Sequence, residues 1–327
     1  MREATSGATS GATSAAMSAA MSDAPELLCI GEALTDMLQQ APDQWISRVG
    51  GSTWNVARAL AALGGRTAFA GAVSRDLFGD ELVRASAAVG LDTRLLQQVE
   101  RAPLLAIVEQ GEPPRYFFVG GDSADLHFDP DALPAGWAGA ARRAHFGGIS
   151  LAREPLASRL VALAERLKGQ GVAISYDPNF RKLMAHGYAP TLRRMCGLAD
   201  VIKVSDDDLR GLFPELALDD AMTRLRAFNP DALYLLTRGG GVAYLSRGDA
   251  ACMARAPAVS VADTVGAGDA AVAGLLHSLH RHPERPLRAH LHAALAAGSA
   301  ACLQRGATPP DADTVQRLFD QLESNTP

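Results

Sequence analysis

Asp263-Thr264-Val265-Gly266-Ala267-Gly268-Asp269 runs straight into the apolar stretch Ala270 to Leu276, which places a carboxylate where a glycine-bearing turn becomes a helix. The first turn of a helix leaves backbone N–H groups without intrahelical partners and carries the positive end of the helix dipole, so an anion is stabilised there. Gly266 and Gly268 let the main chain come close to a ligand. A carboxylate at such a spot repels phosphate unless it takes the proton from an attacking hydroxyl, which is what phosphoryl transfer asks of a base. Asp269 is therefore the candidate base, and the N–H groups of Gly266, Ala267, Gly268 and Asp269 form the candidate anion hole. Two plainer readings stand beside this one. Asp269 as the N-cap of a core helix is the first. The second is a dinucleotide fingerprint, since Gly266, Gly268 and Ala271 fit G-x-G-x-x-A; a His-rich helical stretch follows, however, where a strand-helix-strand unit with an acidic residue about 20 positions on is required.

Upstream of this stretch, short apolar runs alternate with helical patterns. Leu27 to Ile30, Thr67 to Val73, His145 to Ile149, Val172 to Tyr176, Val201 to Val204 and Ala232 to Leu236 read as buried strands. Asn55 to Leu63 reads as a helix stopped by Gly64-Gly65, and Pro155 to Lys168 as one with Leu156, Leu160, Leu163 and Leu167 on a single face. The alternation predicts an α/β fold: a doubly wound, mostly parallel sheet with helices on both faces. Ligands of such sheets bind beyond the carboxyl ends of the strands. The residues there are polar or glycine-rich in series: Gly31-Glu32 with Asp36, Gly50-Gly51 with Asn55, Asp177-Pro178-Asn179 with Arg181, Ser205 to Asp208, and Thr237 to Gly241. Turns favour Gly, Asn and Asp on steric grounds alone, but five such clusters point to a site. Gln40 to Val49 and Val99 to Val119 break the alternation with β-type residues and a turn at Gly111-Glu112-Pro113-Pro114. They read as a small β lid, with segments near 36–50 and 97–122, or as an ordinary exposed hairpin.

The chain has 327 residues, a net charge of −5 and 48% hydrophobic residues, the balance of a slightly acidic globule without the basic surplus of a nucleic-acid binder. Cys29, Cys196, Cys252 and Cys302 are scattered with no C-x-x-C pair, as expected of reduced, mostly buried thiols in the cytoplasm. Residues 1–24 repeat Ala-Thr-Ser-Gly and then Ala-Ala-Met-Ser, and are expected to be a disordered tail ahead of a single folded domain at 25–327, with Met17 or Met21 as candidate starts. They hold no apolar run of a signal or membrane anchor, and no membrane partner is expected. His277, His280, His282, His290 and His292 match no common zinc spacing and read as a solvated helix end and loop.

Taken together the motifs resemble the PfkB or ribokinase-like family of sugar kinases, and most closely its fructokinase and 2-keto-3-deoxygluconate kinase branch. The resemblance covers nearly all of residues 26 to 310. It rests on Gly31-Glu32-Ala33-Leu34-Thr35-Asp36, Gly50-Gly51 with Asn55, His145 to Ser150, Asp177-Pro178-Asn179-Phe180-Arg181, Thr237-Arg238-Gly239, and Asp263 to Asp269, in that order. It implies a ribokinase-like fold and ATP-dependent phosphorylation of a sugar's primary alcohol, with fructose or 2-keto-3-deoxygluconate as substrate. It further implies that Asp36, Gly51 and Asn55 hold sugar hydroxyls, with a helix cap as the other reading of Asn55 and a turn as that of Asp36. Arg181 is expected on an acidic sugar group or a phosphate, or else on the surface. Nucleotide phosphates are implied near Asp177, Lys203, Ser205, Thr237, Arg238, Gly239 and Gly241. Magnesium is expected with ATP, and the resemblance extends to a monovalent cation, K+, near Asp263 and Val265.

Several positions depart from the family pattern. Its Asn-x-x-Glu motif reads Ser205-Asp206-Asp207-Asp208 here, so Asp208 keeps the charge on a shorter arm as a candidate metal ligand, or simply favours the start of the next helix. Trp54 stands among residues that are usually small and is expected to narrow or stack on the sugar pocket. Ala271 replaces Phe, and Leu295 replaces an Asn that faces adenine. Two other functions stay open: an NAD(P)-dependent oxidoreductase, and a non-catalytic sugar-binding regulator of kinase descent. A homodimer through the lid is a further expectation, because exposed strand edges need cover.

Overall fold

Strands buried on both faces are written as continuous apolar runs, and this chain supplies them in order. The computed structural model describes residues 24–109 and 115–324. The first half contains β1 (Leu27–Ile30), β2 (Leu34–Ala41), β3 (Gln44–Gly50), α1 (Ser52–Ala62), β4 (Thr67–Ser74), α2 (Leu77–Ala87), β5 (Leu96–Val99), β6 (Leu105–Glu109), β7 (Arg115–Val119) and β8 (Arg143–Gly147). Next come α3 (Leu156–Gly169), β9 (Ala173–Asp177), α4 (Ala189–Leu198), β10 (Val201–Ser205), α5 (Asp206–Leu212), α6 (Leu218–Arg226) and β11 (Leu233–Thr237). β12 (Val242–Arg247), β13 (Ala250–Arg255), α7 (Ala267–Arg281), α8 (Leu287–Ala301) and α9 (Ala312–Ser324) follow.

Nine strands form one sheet in the order β13-β12-β11-β10-β9-β8-β1-β4-β5. All neighbours from β11 through β5 are parallel, and β12 and β13 add an antiparallel edge. The period of two in a strand sends alternate side chains into two separate cores. Leu28 and Ile30 of β1 pack in the layer that holds Leu156 and Leu160 of α3 and Leu192 of α4. Leu27 and Cys29 enter the opposite layer, with Val56 of α1, Val272 of α7 and Leu291 of α8. The expected doubly wound architecture is thus present.

A second sheet, in the order β3-β2-β6-β7, lies apart from the first. Its central pair, β2 and β6, is parallel, and β3 and β7 flank it antiparallel. This is the small sheet expected from Gln40 to Val49 and from Val99 to Val119. The structure alters its edges, because β2 reaches back to Leu34 and β5, ending at Val99, pairs with β4 in the main sheet. The turn expected at Gly111 to Pro114 and the tail expected at residues 1–24 lie, all but residue 24, outside the described residues. The strand expected at His145 to Ile149 also shifts: it runs from Arg143 to Gly147, and a 3-10 turn over Gly148–Ala152 follows. Gly148 takes φ +64, the left-handed conformation that ends the extended chain.

Candidate active site

α7 starts as the sequence requires. Gly266 is its N-cap residue at φ 81, and Asp269 lies two residues beyond the first helical residue, Ala267. Asp269 is 9% exposed and does not cap the helix. Instead its Oδ1 accepts the Ser52 hydroxyl at 2.8 Å and its Oδ2 accepts Asn55 Nδ2 at 2.8 Å. Burial pushes the Asp269 carboxyl above its ordinary range, while Asn55, Ser52, Lys203 and Arg181 draw it back. The cap readings of Asp269 and of Asn55 both fail, since Gly51 is the N-cap of α1 and Asn55 lies within that helix. Because Asn55 gives its amide hydrogens to Asp269, its Oδ1 is left buried and unpartnered beside the cavity. An orphaned acceptor at that place is suited to a substrate hydroxyl.

The cavity, of about 330 Å³, opens between the carboxyl ends of the strands and the lid, with Asp36, Gly51, Asn55, Arg181 and Asp269 in its wall. Ala106 and Val108 of β6 and Phe118 of β7 close it from the lid side. Asp36 belongs to β2, opposite Arg48 of β3, and not to a turn. A side chain at Gly50 would stand 2.4 Å from Asp36 Oδ2, so glycine there makes room for the carboxylate. Burial pushes Asp36 up to about 6, with Arg181 lowering it and Asp269 raising it. Arg181 reaches the same cavity because Asn179, at the positive φ of 44, turns the chain after β9 and accepts Arg181 Nη1 on its Oδ1 at 2.5 Å.

Behind the start of α7 lies a buried ionic group. Lys203 of β10 is 6% exposed, and its Nζ is 2.9 Å from Asp177 Oδ2 and 3.6 Å from Asp208 Oδ2. A Cβ added at Gly268 would meet that Nζ at 3.4 Å, so the ammonium sits just under the candidate anion hole. Burial opposes the Lys203 charge, but Asp177, Asp208 and Asp269 outweigh it and raise its pKa. Burial pushes Asp177 up to about 6 despite Lys203, which leaves it ionised at neutral pH. Asp208 forms a capping box with Ser205: Asp208 N donates to Ser205 Oγ at 3.0 Å and Ser205 N donates to Asp208 Oδ2 at 2.7 Å. Its Oδ1 accepts Phe180 N at 2.7 Å. The helix-start reading of Asp208 is therefore realised. Thr237 pairs with Ser205 across β10 and β11, and the turn Arg238 to Gly241 closes with Gly241 N donating to Arg238 O at 2.8 Å. Arg238 lies over the Tyr244 ring at 5.1 Å. Asp263 stands apart from this group: its Oδ1 accepts Val265 N at 3.1 Å and its Oδ2 accepts Gly306 N at 2.9 Å, fixing two loops side by side.

Two expectations need correction. Trp54 does not narrow the cavity; it is fully buried, donates to Ser86 Oγ at 2.9 Å and carries the Arg58 guanidinium 4.4 Å over its ring. On a helix whose Ser52 and Asn55 face Asp269, Trp54 between them points into the core. His290 and His292 are not solvated: each is 2% exposed, hydrogen-bonded to Ser278 and Glu323 respectively. Leu295 packs in the apolar layer with Ala271. Among the described residues no His, Cys, Asp or Glu cluster is arranged to hold a metal. The sequence reading missed Ser52 as a contributor, and it placed Glu32 and Asn179 in the strand-end clusters without giving either a role of its own. Asn179 was legible within Asp-Pro-Asn, but nothing local tied Ser52 to a carboxylate far along the chain.

Comparison with known proteins comes down on the same chemistry. Residues 24–314 match the pfkB family carbohydrate kinase model. A fructokinase of Klebsiella pneumoniae is 34% identical over 260 residues, covering 77% of this chain and 84% of that protein. A fructokinase of Xylella fastidiosa solved with bound ATP superposes with a TM-score of 0.82 at 28% identity, covering 91% of this chain and 98% of the other. A fructokinase double mutant of Vibrio cholerae, solved with fructose, ADP and a potassium ion, gives 0.75 at 25% identity over 91% and 98%.

Proposed function

This chain belongs to the pfkB family of carbohydrate kinases, and on that premise we propose that it transfers the γ-phosphoryl group of ATP to a primary hydroxyl of fructose. The observation that carries the reading is the Asp269 carboxylate, buried at the start of α7, held by Ser52 and Asn55 and facing a cavity that Asp36, Asn55 and Arg181 also line. Asp36 and Asn55 receive sugar hydroxyls, and the approach of main chain at Gly51 fits the same role. With the hydroxyl seated, Asp269 takes its proton; the N–H groups of Gly266, Gly268 and Asp269, backed by Lys203, stabilise the charge of the transferred group, while the Ala267 N–H of the expected anion hole donates to Thr264 O at 3.2 Å. The lid residues Ala106, Val108 and Phe118 exclude water, the competing nucleophile. Asp177, Lys203, Ser205, Thr237, Arg238, Gly239 and Gly241 line the strand ends proposed for the nucleotide. Arg181 in the cavity wall supports a second substrate, the sugar acid 2-keto-3-deoxygluconate, whose carboxylate would pair with its guanidinium.

ATP brings the phosphoryl group and Mg2+ its charge neutralisation, and a magnesium ion carried by phosphates keeps most of its waters. The donor set fits that mode, because both oxygens of the buried Asp208 already accept N–H groups, so Asp208 would act on the ion through its charge and not as a direct ligand. Asp263 and Val265, where two loops meet, are the proposed K+ site. Residues 25–327 form one kinase domain in this reading. Exposed Trp45, Phe117 and Val119 on the lid support pairing with a second copy. No described helix is long and apolar enough to cross a membrane, and four free cysteines support a cytoplasmic location. The oxidoreductase reading is withdrawn on the family match, and the intact Asp269 site speaks against a non-catalytic regulator. ADP release from Mg-ATP, measured with fructose, 2-keto-3-deoxygluconate, ribose, tagatose and nucleosides, tests the assignment: fructose-dependent turnover is expected, and turnover with another sugar alone replaces fructose.

A further inference from the structure

One carboxyl joins three loops beneath the cavity. Glu32, two residues past β1, is 2% exposed. Its Oε1 accepts the Ser52 N–H at 3.2 Å, where α1 begins. Its Oε2 lies 2.6 Å from Ser150 Oγ and 3.3 Å from Ser150 N, in the turn after β8. The Ser150 hydroxyl is also 2.9 Å from the carbonyl oxygen of Gly147. A hydroxyl has one proton to give. Were Glu32 ionised, Ser150 Oγ would face two acceptors and serve one. With a proton on Glu32 Oε2, the carboxyl donates to Ser150 Oγ, Ser150 donates to Gly147 O, and Glu32 Oε1 still accepts from Ser52, so every group is satisfied.

The packing is built around this arrangement. A side chain at Gly148 would meet Glu32 Oε1 at 2.1 Å, and one at Gly31 would meet Thr53 Oγ1 at 2.7 Å and Ser150 Oγ at 2.8 Å. Thr53 Oγ1 in turn donates to the Glu32 carbonyl oxygen at 3.0 Å. Asp125, on the 3-10 turn Ala124–His127, adds negative charge nearby, and Asp36 of β2 and Asp269 of α7 share the cavity wall with Glu32. Arg181, the cation of that wall, is held by Asn179. Burial, reinforced by Asp125 and offset by Ser150, pushes Glu32 up to about 7.

We propose that Glu32 works as a neutral carboxylic acid that positions the start of α1 and, through Ser52, the base Asp269. Ser52 carries both links, its N–H to Glu32 and its hydroxyl to Asp269. Glu32 is thus a positioning residue for the transfer, an assignment that rests on the kinase reading above. Glu32→Gln mimics the neutral acid, since its amide donates to Ser150 Oγ while its oxygen accepts from Ser52, and it gives up only the 3.3 Å contact from Ser150 N. Glu32→Ala removes both. The expected result is a kcat near wild type for Glu32→Gln and a fall on the order of 10²-fold for Glu32→Ala, with sugar KM little changed, as for a misplaced catalytic group.

Thermal unfolding followed from about pH 4.5 to about pH 8 supplies the second measurement. The unfolded chain gives up the Glu32 proton near 4.5 and the folded chain near 7, so wild type should lose Tm relative to Glu32→Gln as pH rises from about 4.5 to about 7 and level off above that. A Tm difference that does not change with pH overturns the proposal, as does a Glu32→Gln variant as impaired as Glu32→Ala. Should Glu32→Ala not fold, Glu32→Gln and the melting series still decide. A wild type that phosphorylates no sugar sinks the kinase reading instead, while the melting series judges the proton on Glu32 independently.

Discussion

On the proposed function, replacing Asp269 by Asn removes a base and almost nothing else. The carboxylate accepts two hydrogen bonds, from Ser52 Oγ and Asn55 Nδ2, each at 2.8 Å. An Asn in the same rotamer keeps both: its oxygen accepts from Asn55, and its amide donates to Ser52, whose hydroxyl turns to accept. The substitution also takes a charge out of a site where burial already holds the carboxyl above its ordinary range, so the folded state loses no desolvation-compensated ion pair of its own. Thermal stability should therefore be equal to wild type or slightly higher. The sugar cavity keeps its shape, and sugar affinity measured by calorimetry should change little. What disappears is the acceptor for the hydroxyl proton, an effect of roughly 10²–10⁴-fold in kcat. The assay is coupled ADP release at saturating sugar and Mg-ATP, with sugar binding measured on the same preparation. Unchanged turnover would refute the role of Asp269. A variant that lost sugar binding in proportion to turnover would show instead that the carboxylate holds the substrate.

Lys203→Met leaves Asp177 and Asp208 buried without their ammonium and should destabilise the fold by about 3–5 kcal/mol in urea unfolding; a loss under about 1 kcal/mol, the range of a surface pair, would contradict the buried group. In the proposed function Asp36 serves sugar hydroxyls as a carboxylate, and its raised pKa keeps it protonated below about 6. Sugar KM should accordingly rise as pH falls through about 6, and Asp36→Asn should abolish that dependence; a flat wild-type profile would remove Asp36 from sugar binding. Trp54→Ala should cost about 3–5 kcal/mol of stability as a buried aromatic truncation without changing which sugars are used. Altered sugar selectivity in a folded Trp54 variant would mean that the ring reaches the cavity after all.

The parts of this molecule legible in its sequence are those whose physics is local. An apolar run of four residues such as Leu27 to Ile30 has to be buried on both faces, and Gly266 before an apolar helix has to start it with bare N–H groups. The edge hairpin β12 and β13 escaped because its outer strand is half exposed and alternates weakly, with Met253 59% exposed, so it carries no core-strand signature. The errors at Trp54, His290 and His292 share another cause. Residue type suggested a ring in a sugar pocket and imidazoles in water, but direction decides burial, and direction follows from which neighbour on the helix is committed elsewhere. Ser52 and Asn55 both turn to Asp269, which sends Trp54 to the opposite side, against Ser86. Ser278 and Glu323 come from α7 and α9, and only their packing on α8 gives His290 and His292 their partners. The base itself shows the same division. Its position at a helix start could be read from seven residues, whereas the two groups that hold it come from a helix more than two hundred residues earlier in the chain, brought there because α1 and α7 share one face of the sheet.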